Sequence, residues 1–285
     1  MAMRNKKTHY TAILTAALVL SSFTSCVKDE LFNTPHPDKG VVIVTTDWSG
    51  KSAEAVMPQS YTLRVGTEEQ SVSEIINMFK TLLPQGRYEL MAYNTPEHIG
   101  VSGNTATVAE SKTGYREPMP GYLFTAHQAI DVTADDTLRV TVPVKQLVRL
   151  LNVELSVTEG DYSRVQSATA TLDGVASEVD IVTEERSAVA KTQNILVQNE
   201  SKFTTSFRLL GVVPSASRTL TVSILFSNGD TKQIDSDITG QLAAFNDRTE
   251  PMTLTGNLLL PIKAGVTNAT ITDWNEKDGG DVDAN

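Results

Sequence analysis

The chain has 285 residues, 40% of them hydrophobic, and 24 Lys and Arg against 34 Asp and Glu give it a formal charge of −10. So acidic a balance argues against tracking nucleic acid, which demands basic patches, and against plain electrostatic adhesion to anionic lipid. With a single cysteine and four histidines, no Cys/His set stands at metal-ligand spacing.

The first 25 residues have the order of a secretory signal peptide: Arg4, Lys6 and Lys7, then the apolar run Ala12–Leu20, then Ser21–Ser25, small and polar except for Phe23. The apolar run would make roughly 14 Å of helix, about half of a ~30 Å hydrocarbon core, so it is too short to span a membrane. Removing this segment leaves 21 Lys and Arg against 34 Asp and Glu, a charge of −13. Cys26 would then be the first residue. An odd cysteine in an exported chain is a free thiol, an intermolecular bridge or a modified residue, and this position favours modification. SSFTSC resembles a bacterial lipobox, with Phe23 where Leu is usual and Ser25 where Gly or Ala is usual; relaxed boxes ending Ser-Cys are similar to those of Bacteroidetes lipoproteins. The resemblance implies acylation (palmitate) at Cys26. Stable anchoring needs two hydrophobic signals, which two or three acyl chains would meet. Lys28-Asp29-Glu30 is similar to an export tag of surface lipoproteins and reads equally well as a solvated tether.

Residues 26–40, with Pro35, Pro37 and Gly40, read as the lipidated tether. VVIVTTDW (41–48) and YTLRV (61–65) read as strands. SVSEIINMFKTLLPQG (71–86) reads as a helix, with Val72, Ile75, Ile76, Phe79, Leu82 and Leu83 on one face, a Ser71/Glu74 capping box, and Pro84 and Gly86 to stop it. RYELMAYN (87–94) returns to strand, and residues 95–120 read as a long loop. YLFTAHQAIDV (122–132) and TLRVTVPV (137–144) follow as strands, Pro143 marking an edge or a strand end.

A second unit begins near Lys145. QLVRLLNVELSV (146–157) starts either as a helix or as a buried strand, of which strand is favoured. SATATLDG (167–174), SKFTTSFRLLGVV (201–213) and TLTVSILFSNGDTKQIDSDI (219–238) read as strands, the last a hairpin turning at Asn228-Gly229. DITGQLAAFN (237–246) reads as one short helix, and TLTGNLLLPI (253–262) and NATITDW (268–274) close the unit. The pattern is mainly β: two tandem β-sandwiches, 41–145 and 146–275, with a short helix in each and an acidic tail at 276–285. Units of about 105 and 130 residues are ordinary domain sizes.

No site stands out. After the signal segment the histidines are His36 in the tether, His98 in a loop and His127 in a strand. There is no phosphate loop or nucleophile elbow, so neither catalytic residues nor a cofactor or metal are expected. Asp278, Asp281 and Asp283 lack the spacing of a calcium loop. Tyr88, Tyr93, Tyr115, Tyr122 and Trp48 could form a sugar-stacking platform, but at strand spacing they read as core or rim.

HPDKGVVIVTTDWSG, LLPQGRYELMAYN, FRLLGVV, LTVSILFSNGD, DITGQLAAF and the closing ITDW together resemble the fimbrillin-associated anchor proteins of Bacteroidales. The resemblance covers most of residues 26–275. It implies two transthyretin-like sandwiches, attachment to the outer membrane through Cys26, and fimbrial subunits as partners joined by β-strand addition. Stalk subunits of that superfamily are trimmed after an Arg in the first domain. Arg64 and Arg87, the first two after Cys26, both sit in or beside expected strands, which favours an untrimmed anchor or accessory protein. The competing reading is a surface lipoprotein that binds glycan or a host ligand on a sandwich face.

Overall fold

The structure, a computed structural model, describes residues 38–261 and 269–277. Cys26, His36, Asp278, Asp281 and Asp283 lie outside the described residues. The chain is mainly β, with nineteen strands among the described residues. Those up to residue 146 are β1 (Lys39–Asp47), β2 (Tyr61–Val65), β3 (Glu68–Val72), β4 (Ile76–Met78), β5 (Leu83–Pro84), β6 (Gly86–Tyr93), β7 (Ile99–Ser102), β8 (Thr105–Val108), β9 (Phe124–Val132), β10 (Thr137–Pro143) and β11 (Lys145–Gln146). They are followed by β12 (Arg149–Glu159), β13 (Val165–Asp180), β14 (Arg186–Asn199), β15 (Lys202–Leu209), β16 (Thr219–Phe226), β17 (Thr231–Asp237), β18 (Met252–Leu259) and β19 (Thr270–Lys277).

Two facing sheets hold the first core. One has the order β10-β1-β4 with β5 also on β1, and the other the order β11-β9-β6-β2-β3. Period-two alternation sends Val42 and Val44 of β1 inward, against Leu63, Leu90, Phe124 and Val142 from the surrounding strands. β1 runs parallel to β10 and antiparallel to β4, and so lies at the centre of its sheet. Gly40 is required there, because a Cβ would sit 2.4 Å from the Thr133 carbonyl oxygen.

The later strands form one large sheet, β17-β16-β13-β14-β15-β12-β18-β19, which closes on a second core that includes Leu151, Leu155, Leu172, Phe203, Phe207, Val222 and Phe245. β12 and β18 pair in parallel and the remaining neighbours antiparallel. The hairpin β7–β8 leaves the first pair of sheets and adds to β13, where Glu178 faces Thr107. A third cluster fills the junction: Met91, Leu123, Leu147, Val148, Val179 and Leu210 are all at most 3% exposed.

The helix expected over 71–86 does not form. That segment is extended, covering the end of β3, then β4 and β5. Its apolar stripe is divided: Phe79 and Leu83 are buried, whereas Ile75 and Ile76 stay exposed. The backbone finds better partners on β1, with Thr46 N donating to Ile75 O and Phe79 N to Val42 O. Glu74 caps nothing; its carbonyl accepts from the Tyr61 hydroxyl and the Asn77 amide. Pairing with an already formed strand outweighs helix propensity, which is a weak prior.

The second expected helix, 237–246, is likewise absent. Turns held by Asp237, whose carboxylate accepts from Thr239 N, lead to a single 3-10 turn at Phe245–Asp247. Ile238, Leu242 and Phe245 are buried all the same. The loop expected over 95–120 contains the hairpin β7–β8, turning at Gly103 with φ +60. The ambiguous segment after Lys145 is strand, as favoured. The Asn228-Gly229 hairpin exists, but only Gly229 takes positive φ, so the loop is longer than a two-residue turn.

Leu147 is fully buried where the sheets meet. Leu147→Ala is expected to destabilise the protein by about 2–5 kcal/mol, read as a lowered urea midpoint.

Candidate functional site

A protein that meets partners through its backbone needs an unpaired sheet edge. Among the described residues the three main sheets end at six strands, β10 and β4, β11 and β3, β17 and β19, and the short β5 and β7 also have one partner each. Four of the six sheet ends are held by side chains. Gln70 of β3 donates to Met78 O and accepts from Lys80 N, tying β3 to the β4 segment across the gap between the sheets. Trp274 of β19 donates from its indole to the Ser236 hydroxyl of β17 at 2.6 Å, closing the seam of the large sheet. That tryptophan is aimed by a bulge at Gly256, opposite which Asp273 takes φ +53. β11 is only two residues long.

β10 remains as the long open edge, with seven residues. Val41 N donates to Asp136 O, and Val144 N donates to Asp47 O. Even-numbered backbone groups of this strand therefore face β1. By alternation, the amides of Arg139 and Thr141 face the free side.

Three clefts open near the junction. A cleft of about 500 Å³ is lined by Glu54, Pro58, Asn94, Tyr122 and Arg208 among others. Burial, and then the charge of Glu54, push the Tyr122 hydroxyl above its ordinary pKa. A second cleft of about 450 Å³ has Asp47, Lys145, Arg149, Glu184 and Asp247 in its wall. Burial, and then the neighbouring Arg186 charge, lower Arg149 to about 10. Lys145 pairs with Glu184 on its rim. A third, about 610 Å³, is lined by Arg64, Glu69, Glu89, Met91 and His127. There His127 Nε2 lies 2.7 Å from Glu89. These walls mix both charge signs. Among the described residues no three His, Cys, Asp or Glu side chains cluster as a metal site would need.

The aromatic residues do not make a stacking platform. Trp48 packs edge-on against Tyr61 and Phe124 and donates to the Thr46 hydroxyl. The Arg208 guanidinium lies 4.5 Å from the Tyr122 ring centre, and that of Arg64 5.9 Å from the Tyr93 ring centre. Tyr88 donates to Pro84 O at the sheet rim, and Tyr115 sits apart, in the segment after β8. His98 is in a turn with φ +60, beside Glu97. Arg64 and Arg87 both lie within paired strands, β2 and β6. Sequence reasoning missed β14. The alternation of TLRVTVP told of a strand, and Pro143 of an edge, but not which side would stay unpaired.

Residues 61–279 match the profile of a family described as fimbrillin-A associated anchor proteins Mfa1 and Mfa2. No curated protein sequence matches the chain. Among solved structures, a candidate adhesin of Bacteroides ovatus ATCC 8483 superposes with a TM-score of 0.61 at 14% identity, covering 87% of this chain and 97% of its own. Another from Bacteroides ovatus gives 0.63 at 9% identity, with coverages of 85% and 96%. The fimbrial anchor protein Mfa2 of Porphyromonas gingivalis gives 0.57 at 11% identity, with coverages of 84% and 97%. At such identities these likenesses speak for the fold.

Asp180, at the end of β13, accepts from the amides of Thr183 and Val182, and the Thr183 bond chiefly lowers its pKa. A carboxyl depressed on folding contributes stability above its unfolded pKa of about 3.9 and loses it as pH falls through the lower folded value. Urea midpoints of Asp180→Asn and the parent should therefore differ at pH 6 and converge toward pH 2–3.

Proposed function

Because the chain belongs to the family of fimbrillin-A associated anchor proteins, we propose that it is a fimbrial anchor or assembly component, held in the outer membrane by acyl chains on Cys26 and joined to fimbrial subunits by β-strand addition. The observation that carries this reading is the family match over 61–279. The free edge of β10 supports the mode of joining. A strand laid along it would satisfy the outward amides of Arg139 and Thr141, and backbone bonds of this kind supply affinity while side chains set register. The role is one of attachment rather than catalysis.

The two arginines that trimming would use support an intact chain. Cleavage after Arg64 or Arg87 would cut inside a paired strand, so β1 stays attached and its tether continues to link fold to lipid. Binding of a glycan through aromatic stacking has less support, since the Tyr93 and Tyr122 rings already carry arginines.

Two variants test the two halves of this proposal. Cys26→Ala should lose acyl mass and leave the membrane fraction, and cells carrying it should shed fimbriae. Thr141→Pro removes one N–H on the free side of β10 without taking a bond from β1. It should keep a thermal midpoint close to the parent and still reach the membrane, yet fail to retain fimbrial subunits in a pull-down. Undiminished subunit capture by a folded Thr141→Pro protein would rule out β10 as the acceptor edge.

A further inference from the structure

The outer face of the sheet β10-β1-β4 differs from the rest of this acidic surface. Residues directly paired across strands share a face, and the registers fix which do so. Ile43 stands between Arg139 and Met78, and Thr45 between Thr141 and Ile76. The inward row is Val44 with Val140 and Asn77, all buried. Ile76 and Met78 are each 63% exposed, and Ile75 48%. Along β1 the outward positions are Lys39, Val41, Ile43 and Thr45, ending at Asp47. In a chain of net charge −10, this face presents an apolar centre with Lys39 and Arg139 beside it; Asp47 closes one end, and Asp135 and Asp136 lead into β10 at the other.

A contiguous exposed apolar patch calls for a covering partner. What covers this one follows from where the chain leaves it. β1 begins at Lys39, and residues 27–38 separate it from Cys26, a reach of at most ~47 Å when extended. So short a tether holds the adjoining face at high effective concentration against whatever Cys26 is fixed to. β14 carries comparable exposed residues, Ile195 and Val197, but no such tether leads from it.

We propose that the outer face of β10-β1-β4 rests on the lipid surface, with Ile76 and Met78 reaching the boundary between headgroups and acyl chains and Lys39 and Arg139 at headgroup level. The inference rests on the reading of Cys26 as a lipid anchor. It leaves the free edge of β10 open, because an edge and a face are approached from different directions.

Methionine oxidation tests it without substituting any residue of the face. Met78 lies on the face, while Met57 and Met119, 37% and 38% exposed, lie off it and serve as internal references. Protein extracted from membranes is weighed intact and reconstituted in phosphatidylethanolamine/phosphatidylglycerol vesicles. A non-acylated chain starting at Cys26 is coupled through its thiol to a maleimide lipid in the same vesicles. Both are exposed to dilute hydrogen peroxide beside the uncoupled chain in buffer. On vesicles, Met78 should form sulfoxide about tenfold more slowly than in buffer, with Met57 and Met119 unchanged. Equal rates on vesicles and in buffer would overturn the proposal. So would protection that arises in buffer as protein concentration rises, which would mean that a second copy covers the face. A missing acyl mass with Met78 protected on the coupled chain would remove the native anchor and keep the face. An acyl mass with Met78 unprotected would do the reverse.

Discussion

Everything in this chain is organised by the apolar junction where its sheets meet. Leu123 arrives just before β9, Leu147 and Val148 connect β11 to β12, and Val179 comes from the far end of β13. None of these side chains can be satisfied within one set of sheets alone. The hairpin β7–β8 makes the dependence mutual, since it belongs to the first half of the sequence and hydrogen-bonds to a strand of the second. Packing at this density resists bending, so a load applied to one half is passed to the other. That suits an attachment protein, which must connect two fixed points.

The edges follow a similar economy. A sheet protein on a crowded cell surface has to keep its exposed backbone from pairing at random. Here the long side chains of Gln70 and Trp274 close gaps that would otherwise admit a strand. β10 is guarded only at its ends, where Thr137 N donates to the Asp136 carboxylate and Pro143 has no N–H, so the amides of Arg139 and Thr141 stay open between them. Selective guarding of edges is a way to specify where pairing occurs, because a guarded edge costs an incoming strand the bonds it must displace.

Strands with strict alternation were legible in the sequence. YTLRV gives β2 with both ends as expected, and the segment 219–238 gives a hairpin whose first strand, β16, starts at Thr219 as read. The failures have physical causes. IINMF carries helical spacing, but β1 lies beside it with unpaired carbonyls and amides, and a local pattern holds no information about a strand thirty residues upstream. RSAVAKTQNILVQN was passed over because its outward face is as apolar as its inward one at Ile195 and Val197, which hides the period. The proposed attachment at Cys26 rests on its sequence neighbours alone. The free side of β10 could not, because an edge is defined by what fails to come beside it.

The parallel pairing of β1 with β10 bears on how the molecule assembles in time. Val41 must find Thr137, and Leu151 must find Met252. Contacts so distant in sequence carry a large loop-closure cost and form slowly. β1 is made first, yet it gains its full set of partners only after β10 has arrived. The strand nearest Cys26 is thus among the last that can be locked, and until then its unpaired, β-branched sequence is open to wrong partners. A chain built in this order would benefit from an escort that binds extended apolar segments, and interference with such an escort would show itself first as misfolding at the N-terminal strand.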